Sequence, residues 1–295
     1  MSATGRGPGP RPRRRELDLE PSSNVSSRGA KVAVYVGITL VLVGFAFPLL
    51  FILNTSLKTQ AGFYADPSGL TNTLEFGNFV AAFTQVDFAR FLLNSALYTL
   101  VSASVGTVAS LLVAFPVARN FLKRSSIWNI VFILALFLPI ALVTQFQLLL
   151  RLGLYNSQFG YILLLSSAVG ISPLLIVSYL RSLPIELDEA AAIDGVGYFR
   201  YLITFVAPLT SPVLITCFIL QALGVWNEII LATVVFSDSN KYPASLGLHT
   251  FQGAYSSQWP LLAAATLIVA FPIVVLYASL QKFFVAGALN GAFKG

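Results

Sequence analysis

The chain has 295 residues, 56% of them hydrophobic and 10% charged, with a mean hydropathy of +0.79 and a formal net charge of +6. Soluble domains are usually about one quarter charged, so this composition excludes an ordinary soluble domain and predicts an all-α integral membrane protein. The basic excess is accounted for by membrane lipid, since anionic headgroups attract Lys and Arg, and calls for no nucleic acid.

Residues 1–30 are rich in Gly, Pro, Ser and Arg and hold almost no large apolar side chain. Such a segment cannot bury a core, and it is predicted to be a disordered cytoplasmic tail. Behind it, the 22 residues from Val32 to Leu53 lack an A-x-A cleavage site, which favours a retained anchor over a signal peptide. A spanning helix needs about 20 apolar residues, and no charge interrupts 32–57, 91–118, 125–150 or 152–180. A fifth run, 201–227, stops at Glu228 but remains apolar to Phe236; between Lys241 and Lys282 the titratable side chains are His249 and tyrosines. These runs predict six transmembrane helices at 31–54, 90–118, 126–150, 157–181, 207–236 and 260–284, making 31–295 one membrane domain.

Loops 55–89 and 237–259 are the two outer segments long enough to meet a docking protein, and each reads equally as an ordered loop. The first mixes turn formers with apolar anchors and has room for a short interfacial helix. Orientation follows from Lys and Arg, which favour the cytoplasmic side. With the N-terminus inside, fourteen of the 18 basic residues are cytoplasmic, and Lys58, Arg90, Arg151 and Lys241 are outside. Both termini are then cytoplasmic.

The segment 183–206, between the fourth and fifth helices, is also cytoplasmic and gathers Glu186, Asp188, Glu189 and Asp194 from a chain with only twelve acidic residues. Pro184 can start a helix, and carboxylates in its first turns suit the positive end of the helix dipole. Ala190, Ala191 and Ala192 favour helix and leave little bulk. Asp194-Gly195 ends it, because glycine takes the left-handed conformation that closes helices. A second arm carries Tyr198, Phe199, Tyr201 and Phe205, aromatics suited to the headgroup level, before Pro208 opens the fifth span. An elbow parallel to the membrane results. It can dock in a groove of another protein and transmit its motion, or it can be a solvated loop with ordinary helix signals.

Several chemistries are set aside. Cys217 is the single cysteine and His249 the single histidine, so no internal disulfide, thiol metal cluster, His-based metal site or Ser-His-Asp triad can be assembled. No G-x-x-x-x-G-K-[ST] phosphate loop is present; ATP-driven work must come from another subunit, and the chain is not read as an enzyme. Polar residues within spans face a bundle interior or a wet cavity. Asn94, Ser95, Gln145, Gln147, Gln221, Trp226, Asn227 and Glu228 are the candidates for a translocation pathway, with helix-to-helix hydrogen bonding the other reading of each. With Glu228 the sole carboxylate in a predicted span, the path suits a neutral, hydroxyl-rich solute.

The stretch "EAAAIDGVGYFRYLITFVAPLTSP" resembles the EAA signature of binding-protein-dependent ABC importer permeases, E-A-A-x-x-x-G followed by an apolar stretch. Glu189, Ala190, Ala191 and Gly195 fill the signature, with Asp194 before the glycine; Ala207-Pro208 stands where the family often has Leu-Pro. "LLNSALYT", "AFPVARN", "WNEIILATVVF", "YPASLGLHTF" and "GALNGAFKG" resemble the carbohydrate branch, typified by the smaller maltose-transporter permease. The resemblance implies a second homologous permease, two copies of a cytoplasmic ABC ATPase that binds ATP and Mg, and an extracytoplasmic sugar-binding protein. It also implies that Glu189 reaches the ATPase, Ala190 and Ala191 admit close packing, and Asp194 and Gly195 shape the turn. The partner permease then supplies most sugar contacts, and the glycine-spaced tail with Gly287, Gly291 and Gly295 is either flexible or reaches toward the ATPase. A secondary transporter would carry repeat-related broken helices and midplane ionisable groups, which are not seen beyond Glu228; a non-transporting scaffold would need neither elbow nor polar lining.

Overall fold

The computed structural model describes residues 28–84, 87–139, 141–168, 170–251 and 258–292, with the backbone alone for 280–292. The predicted disordered tail falls almost wholly outside these residues, as does Gly295. By contact density the chain forms two units, Met1–Leu50 and Phe51–Gly295. The described part of the first is the leading stretch of α1 (Arg28–Ser56), uncharged after Lys31 and apolar around its circumference, as a helix among lipid tails is.

The second unit is organised around α4 (Phe88–Ala118). Its inward face is a ladder of small residues, including Ser95, Thr99, Ser102, Ala103, Gly106, Ser110 and Ala114, all buried. Helices associate in a membrane through close packing and hydrogen bonds rather than a hydrophobic drive, so small side chains mark the contact face. Against this face lie α7 (Gln158–Ser167), α8 (Ser172–Ser182) and α12 (Ser211–Trp226); α12 also packs on α15 (Trp259–Ala292). A Cβ at Gly106 would meet the Gln221 side-chain oxygen of α12 at 2.3 Å and the Ser166 carbonyl oxygen at 3.1 Å, which measures how closely the backbones approach.

Three spans expected to be continuous are broken. The predicted helix 126–150 is two helices, α5 (Ser125–Leu136, 12 residues) and α6 (Leu142–Arg151, 10 residues), parted around Pro139, which lacks an N–H and turns the preceding residue away from helix. The predicted helix 157–181 bends by 46° between α7 and α8, where Gly170 has φ +54° and Pro173 opens α8. The predicted helix 207–236 ends at Trp226 and resumes as α13 (Ile230–Val235). Glu228 stands in the gap and its Oε1 accepts the Leu231 N–H at 2.8 Å, so a carboxylate expected inside a helix caps the next one instead. Among the described residues, three helices are long and apolar enough to cross a membrane unbroken, or five if each bent pair is one span.

The 55–89 loop holds two short helices where one was expected, α2 (Gln60–Ala65) and α3 (Gly77–Thr84). They wrap buried Lys58, whose ammonium donates to the Asp66 and Pro67 carbonyls at 2.6 and 3.1 Å, while Asn78 donates to the carbonyls of Ser56 and Lys58. Beyond α13, a short helix α14 (Ala244–Gly247) lies on α4 and its Ala244 N–H donates to Ser95 Oγ at 2.7 Å.

Gly160, at the start of α7, is packed against the loop before it. A Cβ there would stand 2.6 Å from the Leu154 carbonyl oxygen and 3.0 Å from Leu149 Cδ2. Gly160→Ala is expected to lower stability by about 1–3 kcal/mol through overpacking, read as a lower unfolding midpoint in detergent. An unchanged midpoint would show that this contact is loose.

Candidate functional site

The elbow begins with α9 (Glu186–Ile193), which starts two residues after Pro184 and carries Glu186, Asp188 and Glu189 in its first turn. It ends as the sequence predicts. Gly195 takes φ +68°, its N–H donates to the Ala192 carbonyl at 3.1 Å, and the Val196 N–H donates to the Ala191 carbonyl at 3.0 Å. This pair of bonds is the Schellman closure, which satisfies the last carbonyls of a helix and lets the residue after the glycine fold back onto the core. Val196 packs against the same apolar cluster that buries Ala191.

The second arm runs from α10 (Tyr198–Tyr201) through one π-helical turn, Leu202–Val206, into α11 (Ala207–Leu209). An 82° bend separates it from α12, so the next helix starts at Ser211 and Pro208 lies inside the elbow rather than at the head of the fifth span. Tyr201, Leu202 and Val206 are buried in the cluster with Phe115, Ile176 and Cys217.

The fold divides the predicted elbow residues into two groups. Glu189, Ala190, Asp194 and Gly195 are exposed, together with Ile193 at 86% and Phe199 at 69%. Ala191 is the one buried residue of α9, set in the chain's own core. Asp188, three positions earlier on the same face, shows in the sequence only as a charge suited to the helix dipole, but the fold gives it a partner. Its Oδ2 faces Arg119 Nε at 2.7 Å, with side-chain exposures of 13% and 7%, an ion pair rather than an aligned hydrogen bond. Its Oδ1 accepts the Tyr201 hydroxyl at 2.6 Å, and Arg119 Nη1 donates to the Leu183 carbonyl at 3.2 Å. Burial first, then this bond to the carboxylate, pushes the Tyr201 hydroxyl up to about 12, so it stays a proton donor across the physiological range. The clue available in the sequence was position alone: Asp188 and Ala191 share a helical face.

The predicted pathway residues scatter. Gln221 and Glu228 line one cavity of about 270 Å³, with Ser172, Gly170 and Gly224, between the α7–α8 bend and α12. Gln221 Nε2 donates to Ser172 Oγ at 3.2 Å. Asn227 is exposed at the end of α12 and donates to the Leu223 carbonyl at 2.8 Å. Asn94 is buried elsewhere on α4, donating to the carbonyls of Asn240 and Tyr242 at 2.8 and 3.1 Å. Trp226 is buried and donates to the Val269 carbonyl of α15 at 3.2 Å. Gln145 sits half-buried on α6, away from the cavity. Ser172 and Gly170 are cavity neighbours the sequence did not single out; the signal was the Gly-x-Ser-Pro break itself.

Residues 102–288, from the middle of α4 through the elbow and the cavity into α15, match the family model described as the binding-protein-dependent transport system inner membrane component. The chain belongs to this family. The permease is 30% identical to the probable ABC transporter permease protein YurM of Bacillus subtilis, over 90% of this chain and 89% of that one. It is 31% identical to the sulfoquinovosyl glycerol transport system permease protein SmoH of Agrobacterium fabrum, over 88% and 93%. The maltodextrin transport system permease protein MalD of Streptococcus pneumoniae is 27% identical over 88% and 93%. Among solved structures, a bacterial ABC transporter involved in the import of the polysaccharide alginate has the same fold, with TM-score 0.76 at 19% identity over 88% of this chain and 99% of that chain. The permease is thus an integral membrane component of a transport system, from a family of transporters and not of catalysts.

Proposed function

We propose that this permease forms half of the translocation pathway of an ATP-driven importer for sugars or oligosaccharides, and that the elbow couples it to a cytoplasmic ATPase. The observation that carries the coupling is the shape of α9: a rigid, glycine-closed helix with one face anchored in the core and the other, bearing Glu189, Ala190 and Asp194, open to solvent. Exposed Ile193 and Phe199 beside those carboxylates make a mixed apolar and acidic knob of the kind a protein groove receives. Ala191 keeps the inner face small enough to lie against the core, and Gly195 sets the turn.

In this reading the chain crosses the inner membrane six times, using α1, α4, α5 with α6, α7 with α8, α12 with α13, and α15. Residues 31–295 are the permease domain, 1–30 a cytoplasmic tail, 183–206 with its extension to Leu209 the coupling elbow, and both termini are cytoplasmic. The partners are a second, homologous permease, two copies of an ABC ATPase that bind ATP and Mg, and an extracytoplasmic sugar-binding protein; this chain carries no cofactor of its own. Sugar cargo is supported by the names of relatives that transport sulfoquinovosyl glycerol, maltodextrin, and melibiose, raffinose and stachyose. The cavity beside Gln221 and Glu228 offers hydrogen-bonding groups to a hydroxyl-rich solute, whereas Asn94 and Trp226 serve the pathway by holding its wall together through their bonds to neighbouring segments.

Cys217 is fully buried, so a Cys217→Ser background makes introduced thiols easy to read. Ala192→Cys should react with a membrane-impermeant maleimide only from the cytoplasmic side and, with a bifunctional maleimide–succinimidyl ester reagent, cross-link to lysines of the co-purifying ATPase, and Ser68→Cys should react with the maleimide only from outside. Labelling of position 192 from outside the cell would reject the arrangement.

A further inference from the structure

The second arm of the elbow is rooted in the apolar core through Tyr201, Leu202 and Val206, but α9 itself is attached by very little apolar surface. α9 has eight residues and one buried side chain, Ala191; a helix of two turns has no stability of its own, and an alanine adds little packing. The firm attachment is polar. Asp188 meets Arg119 at 2.7 Å in a pair almost closed to solvent, and accepts Tyr201 at 2.6 Å on its other oxygen. The same guanidinium reaches the Leu183 carbonyl at 3.2 Å. Arg119 is the residue that caps the end of α4 and Leu183 the one that caps α8, so one carboxylate and one guanidinium join α4, α8, α9 and α10.

Location decides what such a joint can do. α4 is the helix against which α7, α8 and α12 all pack, so whatever displaces its end displaces the helices around the cavity. A desolvated ion pair resists separation, because either partner left alone in a buried site is strongly unfavourable. Small apolar contacts such as that of Ala191 slide more easily, since they have no preferred direction. A link meant to transmit displacement therefore needs the directional pair.

We propose that Asp188, Arg119 and Tyr201 form the joint that carries motion of the elbow into α4, with Asp188 and Arg119 as positioning residues whose loss uncouples ATP hydrolysis from helix movement. The proposal rests on the coupling reading above. Its consequence is specific: disrupting the joint should leave ATPase docking on the exposed face of α9 intact while the membrane helices stop responding.

The test uses the whole complex purified through a tag on this chain, in the Cys217→Ser background, with spin labels at Val113 on α4 and Val274 on α15, both exposed. The distance between them is measured without nucleotide and after trapping with ATP and vanadate. The intact joint should show a nucleotide-driven change in distance. Asp188→Ala and Arg119→Ala should lose most of that change, while ATP hydrolysis and ATPase co-purification persist. Should Asp188→Ala fail to assemble, Asp188→Asn keeps the shape and the tyrosine bond while removing the charge, and it should still lose most of the response. A full response in Asp188→Asn or Asp188→Ala overturns the joint. If wild-type Ala192→Cys forms no cross-link to the ATPase, the coupling reading itself falls and the joint with it; a cross-link that persists alongside an unaffected Asp188→Ala response removes the joint alone.

Discussion

Gly195→Pro is expected to abolish uptake and release the ATPase while leaving the protein inserted in the membrane. Gly195 sits at φ +68°, and proline is locked near −65°, so the substitution cannot adopt the turn. It also deletes the N–H that bonds the Ala192 carbonyl at 3.1 Å and swings Val196 away from the core. The left-handed conformation costs an ordinary residue about 1–2 kcal/mol, and proline, which cannot reach it at all, adds the lost bond. α9 has one buried residue with which to resist. The elbow therefore loses its shape while the membrane helices keep theirs. No atom lies within 4 Å of a Cβ at this position, so the effect is conformational and not steric. Gly195→Asn, which tolerates the left-handed region, should retain much of the activity that proline removes. Uptake in whole cells and ATPase co-purification read both variants; normal values for Gly195→Pro would sink the coupling role of the turn.

Tyr161→Ala should destabilise the protein by about 3–5 kcal/mol, the usual cost of truncating a buried aromatic. Tyr161 is 1% exposed and stands between Tyr98 of α4 and Phe236 after α13, with ring centroids 5.0 and 4.9 Å away. It joins three elements, alongside the stacked Tyr98 and Phe236 rings at 5.9 Å and the Gln158 donation to the Tyr98 hydroxyl. Its hydroxyl reaches the Glu228 carbonyl at only 3.5 Å, the outer limit of a hydrogen bond, so Tyr161→Phe should cost less than about 1 kcal/mol. Thermal unfolding of the three proteins in detergent separates packing from hydrogen bonding. A Phe variant as unstable as the Ala variant would show that the hydroxyl, and not the ring, is what matters.

The helix from Glu186 to Ile193 and its glycine stop were legible from local signals. Its acidic first turn, its alanines and its Asp-Gly stop are each properties of residues a few positions apart, and the helix from Glu186 to Ile193 with Gly195 at positive φ followed from them. The continuity of the spans was not legible in the same way. Uncharged runs such as 126–150 read as single helices because hydropathy counts apolar residues and is blind to backbone breaks; Pro139 and the Gly170-to-Pro173 stretch were present as punctuation but carried no weight in that count. Glu228 stands out in the sequence as the one carboxylate in an apolar run, yet its use as a cap for α13 depends on a break that only the backbone path reveals.

Polar residues inside apolar runs pose a harder problem. Asn94, Gln221 and Trp226 look alike in sequence, since each is a hydrogen-bonding group that must avoid lipid. Whether that group is satisfied by a neighbouring helix or faces a cavity depends on segments far away in the chain, and the fold sent Asn94 and Trp226 to carbonyls while placing Gln221 at the cavity. The pairing of Asp188 with Arg119 is of the same kind: two ordinary charges become a nearly buried ion pair because the fold brings the C-terminal capping residue of α4 beside α9.

Composition and spacing by themselves determined that this protein lives in a membrane, which segments are apolar, and that one loop carries a glycine-closed helix, because lipid solvation and helix closure act on residues near one another. Only the tertiary structure decided where the spans break, which polar groups line a cavity, and which charges lose contact with water. Those outcomes depend on what distant helices place beside each side chain, and the free energy of a buried polar group is set by that neighbour.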